Sequence, residues 1–312
     1  MITVFGSVGL DLTGNVQRLP TPGETVLGGT FTLAPGAKGA NQALAARRAG
    51  RSVRHVCAVG NDVFAMQALA LLDAGGVDLT LLKRADVPTA IAMINVDAQG
   101  ENAIAVFPGA NATLTADEAD LALVDMTVGD FLLLQQEIAQ AATNRALDLA
   151  RKRGVISVLN IAPFLDSTPE LAGKASVLVA NENEFASLCN GTTQPLEGLM
   201  RDWATAHGQT VVVTLGKDGA RAATANAEFL SVPALKVTPI DTVGAGDTFT
   251  GYLAAGLDAG LDLGSAMHRA AYAASLACTK AGAQPAIPHE REVIAALRGR
   301  YETRSQAAGI RN

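Results

Sequence analysis

Phe131-Leu132-Leu133-Leu134-Gln135-Gln136-Glu137 opens the stretch that decides the fold. Its apolar run carries no polar alternation, which marks a strand buried on both faces. Ala139–Arg153 follows as a helix, and Val155–Leu159 as a second uninterrupted apolar strand. The unit recurs downstream: Val177–Val179 reads as a strand, Glu182–Leu188 as a helix and Val211–Leu215 as a strand. Such strands, separated by helices, predict an α/β fold with a mostly parallel central sheet covered on both faces. Ala220–Ala223 and Glu228–Val232 are expected as an antiparallel pair at its edge, with helices over Phe249–Leu257 and Leu263–Lys280.

Toward the N-terminus, Ile2–Phe5 reads as a buried strand entering the tight loop Gly6-Ser7-Val8-Gly9. Gly39–Ala49 is an alanine-rich helix, Val53–Val59 a strand and Val63–Ala74 a helix. Residues 12–33 differ in character. Threonines, glycines, Pro20 and Pro22 break them into short alternating pieces, as in exposed strands. Thr89–Val96 and Asn102–Phe107 flank Asp97-Ala98-Gln99-Gly100, a hairpin connection. Together these segments predict a small separate sheet. The expected division is 1–11, 34–88 and 108–298 for the main body, 12–33 and 89–107 for the small sheet, and 299–312 for a flexible tail.

With 49% hydrophobic and 17% charged residues, the chain supports a large packed core and is not a disordered segment. A net charge of -6 gives no electrostatic reason to expect nucleic acid or a membrane surface. No apolar run approaches the roughly 18 residues of a spanning helix, and MITVFGSVGLDLTG reads as a strand rather than a secretory signal. Cys57, Cys189 and Cys278 are odd in number and far apart, and the histidines are scattered. Free thiols of a cytoplasmic protein are expected, without a zinc site or disulfide frame.

Asp241-Thr242-Val243-Gly244-Ala245-Gly246-Asp247-Thr248-Phe249 carries the strongest chemical signal. Gly244 and Gly246 permit a tight turn whose N–H groups converge on an anion, and the following helix points its positive end the same way. Asp247 at that helix start is placed to take a proton from a hydroxyl attacking a phosphoryl group. An ordinary glycine turn with a capping aspartate explains the same residues, and GxGD alone has little specificity. The segment is neither a Walker loop nor a dinucleotide fingerprint.

Pro35-Gly36-Ala37-Lys38-Gly39-Ala40-Asn41 opens another helix, with Lys38 and Asn41 as candidate partners of sugar hydroxyls; taken alone, the segment is better explained as a loop-to-helix junction with a solvated Lys38. Asp11 and Glu137 each follow a buried strand, at the edge of a parallel sheet where ligands bind. Asn181-Glu182-Asn183-Glu184 is explained by helix capping with first-turn acids, and equally by magnesium reached through water. Thr214-Leu215-Gly216-Lys217-Asp218-Gly219 is a turn that lines a nucleotide or simply joins two strands.

In this combination the chain resembles the ribokinase-like (PfkB) family of carbohydrate kinases from Val4 to about Leu297. The matching pieces are Gly6-Ser7 with Asp11, Thr21-Pro22-Gly23-Glu24-Thr25, Lys38-Gly39-Ala40-Asn41-Gln42-Ala43, Gly109-Ala110-Asn111, Asn160–Pro163, Asn181–Glu184, Thr214-Leu215-Gly216 and the Asp241–Phe249 segment. The resemblance implies a three-layer α/β/α sandwich whose small β-sheet is a lid over the sugar. It implies transfer of the γ-phosphoryl of MgATP to a sugar hydroxyl, most closely the 5-hydroxyl of D-ribose. By that analogy Asp247 is the catalytic base, and Gly244, Ala245 and Gly246 form the anion hole. Asp11, Gly36, Ala37, Lys38, Asn41 and Glu137 bind the sugar. Asn181, Thr214, Gly216, Gly219, Ala245 and Gly246 bind ATP, and Asn181 and Glu184 organise magnesium mainly through water. Potassium is implied beside Asp241, Val243, Cys278, Ala281, Gly282 and Ala286, and a homodimer through the lids.

Three departures from the family pattern stand out. Gly9 replaces a usual sugar-contacting asparagine, Ala37 a usual glycine, and Ala286 a serine that often helps hold potassium. The first two bear on the substrate and leave another pentose, fructose or a nucleoside as alternatives. A sugar- or nucleotide-sensing protein on the same fold is the non-enzyme alternative, and retention of Asp247 with its glycines speaks against it.

Overall fold

A computed structural model describes residues 1–191 and 194–308. Its strands are β1 (Ile2–Phe5), β2 (Gly9–Val16), β3 (Gly28–Gly36), β4 (Val53–Val56), β5 (Ala58–Gly60), β6 (Lys83–Ala85) and β7 (Ala90–Val96). They continue with β8 (Asn102–Phe107), β9 (Phe131–Leu134), β10 (Ile156–Asn160), β11 (Val177–Asn181), β12 (Thr210–Thr214), β13 (Ala220–Ala223) and β14 (Phe229–Val232). The helices are α1 (Lys38–Arg48), α2 (Val63–Ala74), α3 (Ala116–Ala122), α4 (Gln140–Arg153) and α5 (Thr168–Ala172). The remainder are α6 (Glu182–Leu188), α7 (Leu196–His207), α8 (Ala245–Asp258), α9 (Leu263–Ala277) and α10 (Glu290–Ala308).

The main sheet has the order β14-β13-β12-β11-β10-β9-β1-β4. Neighbours from β12 to β4 are parallel, and β13 and β14 form the antiparallel edge. Single residues show why its strands lack polar alternation. In β9, Phe131 and Leu133 pack into one apolar cluster, Leu132 and Leu134 into another. In β11, Val177 and Val179 face the first cluster, Leu178 and Ala180 the second. Helices α1, α2, α8 and α9 complete the first cluster; α3, α4, α6 and α7 complete the second. With both faces covered, all four residues of β9 and the first four of β11 are apolar. The result is a three-layer α/β/α sandwich.

The second sheet has the order β3-β2-β7-β8. It spans Gly9 to Gly36 on one side, so Asp11 and Gly36 lie within its strands rather than beside them. Val53–Val59 is not one strand. After Val56 the chain leaves the main sheet, and Ala58–Gly60 pairs with β6 instead. The expected tail over 299–312 is helical as far as Ala308, and 309–312 lie outside the described residues.

Two local features set up the functional edge. Gly244, at φ 74°, turns the chain into α8 so that the helix starts at Ala245 rather than Phe249, which brings Asp247 into its first turn. Further along, α8 and α1 cross at Gly251, where an added Cβ would stand 2.6 Å from the Ala45 Cβ and the Gln42 carbonyl. That close approach lets short polar side chains of α1 reach the start of α8.

Candidate active site

The C-terminal ends of β1, β9, β10, β11 and β12 open onto one region, the binding edge of a parallel sheet. Asp247 lies there, 7% exposed, at the positive end of α8. Its carboxylate is held on both oxygens. Asn41 Nδ2 donates to Oδ2 at 2.9 Å and Gln42 Nε2 to Oδ1 at 3.0 Å. At the helix start, the Ala245 amide closes a turn onto the Thr242 carbonyl at 3.3 Å, and the Thr248 amide bonds the Gly244 carbonyl. The Gly246 and Asp247 amides fall in the first turn, where a helix supplies no carbonyl partner.

Around Asp247 the sequence-predicted sugar residues gather. Asp11 lies against Gly36 so tightly that a Cβ on Gly36 would stand 2.5 Å from its Oδ2. Burial, and then the negative charges of Glu137 and Asp247, push the Asp11 carboxyl up to about 6. Burial works against the Lys38 ammonium, but Asp247, Glu137, Glu184 and Asp11 together hold it above the usual lysine range. Glu137 also has a fastening role. Its Oε2 accepts from Ser7 Oγ at 2.6 Å and from the Lys38 amide at 2.9 Å, and Ser7 Oγ accepts in turn from the Gly39 amide. Ala37 stands at φ 74° and ψ 140°, a conformation natural to glycine and strained for alanine. Asn41 Oδ1 is buried without a hydrogen-bond partner, an acceptor suited to a ligand hydroxyl.

Two adjoining cavities lie on the other side. The larger, about 640 Å³, is lined by Thr214, Gly216, Gly219, Ala245, Gly246 and Phe249, with apolar walls from Leu235, Val237 and Ala271. The smaller, about 140 Å³, is lined by Lys38, Asn181, Glu184, Gly244, Gly246 and Asp247. Thr214 and Gly246 border both. The large cavity has the dimensions and apolar character of a nucleobase-and-ribose site; the small one joins Lys38 and the start of α8, which suit an anion, to the carboxylates of Glu184 and Asp247.

Asn181 and Glu184 form a capping box, each side chain bonding the other's amide at 2.8 Å. Burial raises the Glu184 carboxyl above its ordinary value. Among the described residues no three His, Cys, Asp or Glu side chains cluster to hold a metal. Glu184 therefore fits magnesium only as a helper to phosphate oxygens, not as part of an all-protein cage.

The potassium candidates sit on two loops that Asp241 joins. Its Oδ1 accepts from the Val243 amide at 3.0 Å and its Oδ2 from the Gly282 amide at 2.8 Å, while the Cys278 carbonyl accepts from the Ile240 amide at 2.7 Å. These oxygens suit a hard cation in kind. Ala286 is 1% exposed and offers only its backbone, and its amide bonds the Ala283 carbonyl.

Four polar residues at the site have no role from the sequence: Ser7, Gln42 and Asn160, which stand in the matched motifs, and Gln135, which does not. The available signal for Gln42 is an amide inside a helical run, Gly39–Ala46, that is otherwise buried and apolar apart from Asn41. For Gln135 and Asn160 it is a polar residue at the end of an apolar strand.

The pattern described as the pfkB family carbohydrate kinase matches residues 1–290. The chain belongs to this family. The pfkB-family chain is 35% identical over 292 residues to the ribokinase of Bacillus subtilis, covering 94% of this chain and 97% of that one. The solved ribokinase of Thermotoga maritima superposes with a TM-score of 0.87 at 32% identity, over 96% of this chain and 99% of that one. The ribokinase of Arabidopsis thaliana, solved with ribose and ATP, gives 0.85 at 27% identity over 95% and 98%. Membership in the pfkB family makes this chain a sugar kinase, and the α/β/α sandwich with its small sheet is the fold of these relatives.

Proposed function

We propose that this chain transfers the γ-phosphoryl of ATP to the 5-hydroxyl of D-ribose, with Asp247 as the base. The observation that carries the reading is Asp247 itself, buried at a helix N-terminus between the Asp11–Lys38 side and two cavities sized for a nucleotide.

In this reading Asp11 and Asn41 hold sugar hydroxyls, and Asn41 Oδ1 gains the partner it lacks. Asp247 accepts the proton of the attacking hydroxyl as the oxygen–phosphorus bond forms. The Ala245 amide of the expected anion hole is engaged by the Thr242 carbonyl, so the Gly246 amide, joined by that of Asp247 in place of Gly244 and Ala245, acts with the α8 dipole and Lys38 on the charge gathering on the transferred group. Glu184 and Asn181 would help hold magnesium, which would supply further charge neutralisation. Asp241, Val243, Cys278, Ala281, Gly282 and Ala286 would hold potassium, which would support the loop that leads into α8. The small sheet acts as a lid that excludes water.

The small sheet also supports a homodimer. Phe31, Leu33 and Met93 are exposed on one face, and Ile104 and Val106 on the face that carries Asp11. Pairing of two lids would cover this apolar surface and the open strand edges. A molar mass of one chain in solution at micromolar concentration would contradict it. Among the described residues no helix is long and apolar enough to cross a membrane. The reading as a sugar kinase with free thiols places the enzyme in the cytoplasm.

The test is ATP-dependent phosphorylation of D-ribose, 2-deoxyribose, other pentoses, fructose and several nucleosides, with and without potassium, as kcat/KM. Ribose is expected to lead. Gly9 gives the second reading its support: it offers no side chain to the sugar, and a Cβ there would stand 2.7 Å from the Ala90 carbonyl oxygen. A competitor far ahead of ribose would keep the chemistry and replace the acceptor.

A further inference from the structure

Behind Asp247 runs a chain of buried amides with no direct place in the reaction. Asn160 Nδ2 donates to the Val179 carbonyl at 3.2 Å, a main-chain acceptor fixed by the parallel sheet. Its Oδ1 therefore faces the other way and accepts from Gln42 Nε2 at 3.1 Å. Gln135 Nε2 donates to Gln42 Oε1 at 2.7 Å, while its own Oε1 has no hydrogen-bond partner, so Gln135 follows Gln42 rather than fixing it. Gln42 is fully buried, as is Gln135. Asn160, itself fixed by the Val179 carbonyl, orients the Gln42 amide, whose N–H group is aimed at Asp247 Oδ1 at 3.0 Å.

We propose that Gln42 is a positioning residue, whose orientation by Asn160 holds the Asp247 carboxylate in the geometry for proton abstraction. The inference rests on the reading of Asp247 as the base. Two physical effects support it. A carboxylate with one oxygen fixed by an N–H donor has its rotation about the Cβ–Cγ bond arrested, and a misplacement of about 1 Å at a reacting group costs on the order of 100-fold in rate. Reversal of the Gln42 amide would set its oxygen against both Asp247 and Asn160 Oδ1, and Asn160 cannot reverse without losing the Val179 carbonyl, so Gln42 has one orientation. Gly251 makes this reach possible by letting α1 approach α8.

The test compares Gln42→Leu, Gln42→Glu and Asp247→Asn in the full chain, with steady-state kinetics for ribose and ATP and a thermal melt for each. Gln42→Leu keeps the bulk and removes the donor; kcat is expected to fall about 10- to 100-fold with both KM values within about threefold. Gln42→Glu keeps length and the acceptor for Gln135 but turns an oxygen toward Asp247, and its kcat is expected to fall further. If Gln42→Leu does not fold, Gln42→Asn, one methylene too short to reach Asp247, is read in its place. A folded Gln42→Glu or Gln42→Leu enzyme with kcat within about twofold of the parent overturns the proposal, as does a loss confined to KM. Asp247→Asn separates the two layers. Retained turnover there defeats the base assignment itself, whereas an inactive Asp247→Asn beside fully active Gln42 variants defeats only the positioning role.

Discussion

The two sides of Asp247 are built differently. On the acceptor side, glycines mark places where backbone and side chains touch. A Cβ on Gly39 would stand 2.5 Å from the Ser7 amide nitrogen, and one on Gly36 the same distance from Asp11. Charges are crowded there, and Ala37 holds a strained conformation. On the nucleotide side, a Cβ on Gly246 would meet nothing within 4 Å, and the walls around a cavity of about 640 Å³ are largely apolar. Under the proposed function, the difference makes sugar selection a matter of rigid, mutually dependent contacts and nucleotide binding a matter of shape.

Substitutions can break that contrast. The largest effect is expected from Gly39→Ala, whose methyl group must push apart the Gly6-Ser7 backbone. A cost of about 3 kcal/mol follows from overpacking of this kind, with loss of most activity. Gly246→Ala should leave the melting temperature within about 2 °C of the parent, since its methyl group enters open space. Equal destabilisation of the two variants would erase the distinction.

Asp11→Asn sharpens it through pH. The folded chain holds the Asp11 proton up to about 6, above the ordinary value of 3.8. The folded state therefore binds more protons than the unfolded state between these values, and stability declines as pH rises through that window. Asp11→Asn is expected to raise the melting temperature at pH 8 and to change it little near pH 4. At pH 8 its KM for sugar should rise about tenfold, because charge-assisted hydrogen bonds are lost. An unchanged melting temperature at pH 8 would show that the carboxylate is not under the strain its surroundings imply.

Ala37→Gly is the smallest change. Relief of the positive φ should add about 1 kcal/mol, or roughly 2 °C in a chain of this size. A loss of stability would mean that the alanine methyl group packs favourably enough to offset its backbone strain.

The same contrast governs what the amino-acid sequence discloses. The central sheet is readable because burial on both faces removes polar alternation, as in Phe131–Leu134 and Val177–Asn181. The break after Val56 is not, since Val53–Val59 is apolar throughout and only pairing with β6 draws its second half away. Leu196–His207 carries the spacing of an amphipathic helix in Leu196, Leu199, Met200, Trp203 and Ala204, with Gly208 in the left-handed region as its stop. Residues at glycine turns and strand ends, such as Asp11 and Asp247, announce themselves through local context. Gln42 does not, because its meaning depends on Gln135, Asn160 and Asp247, which lie far away along the chain. Ala37 is legible as a departure from its family, but its strain is visible only in the backbone.

The most direct test of the account is Asp247→Asn, assayed for ribose phosphorylation while ATP binding is measured by calorimetry on the same preparation. The account predicts a kcat reduced by at least about 1,000-fold, consistent with loss of the base and of the charge in its site, and an ATP affinity within about threefold of the parent. Turnover within about tenfold of the parent, with ATP binding intact, would contradict it.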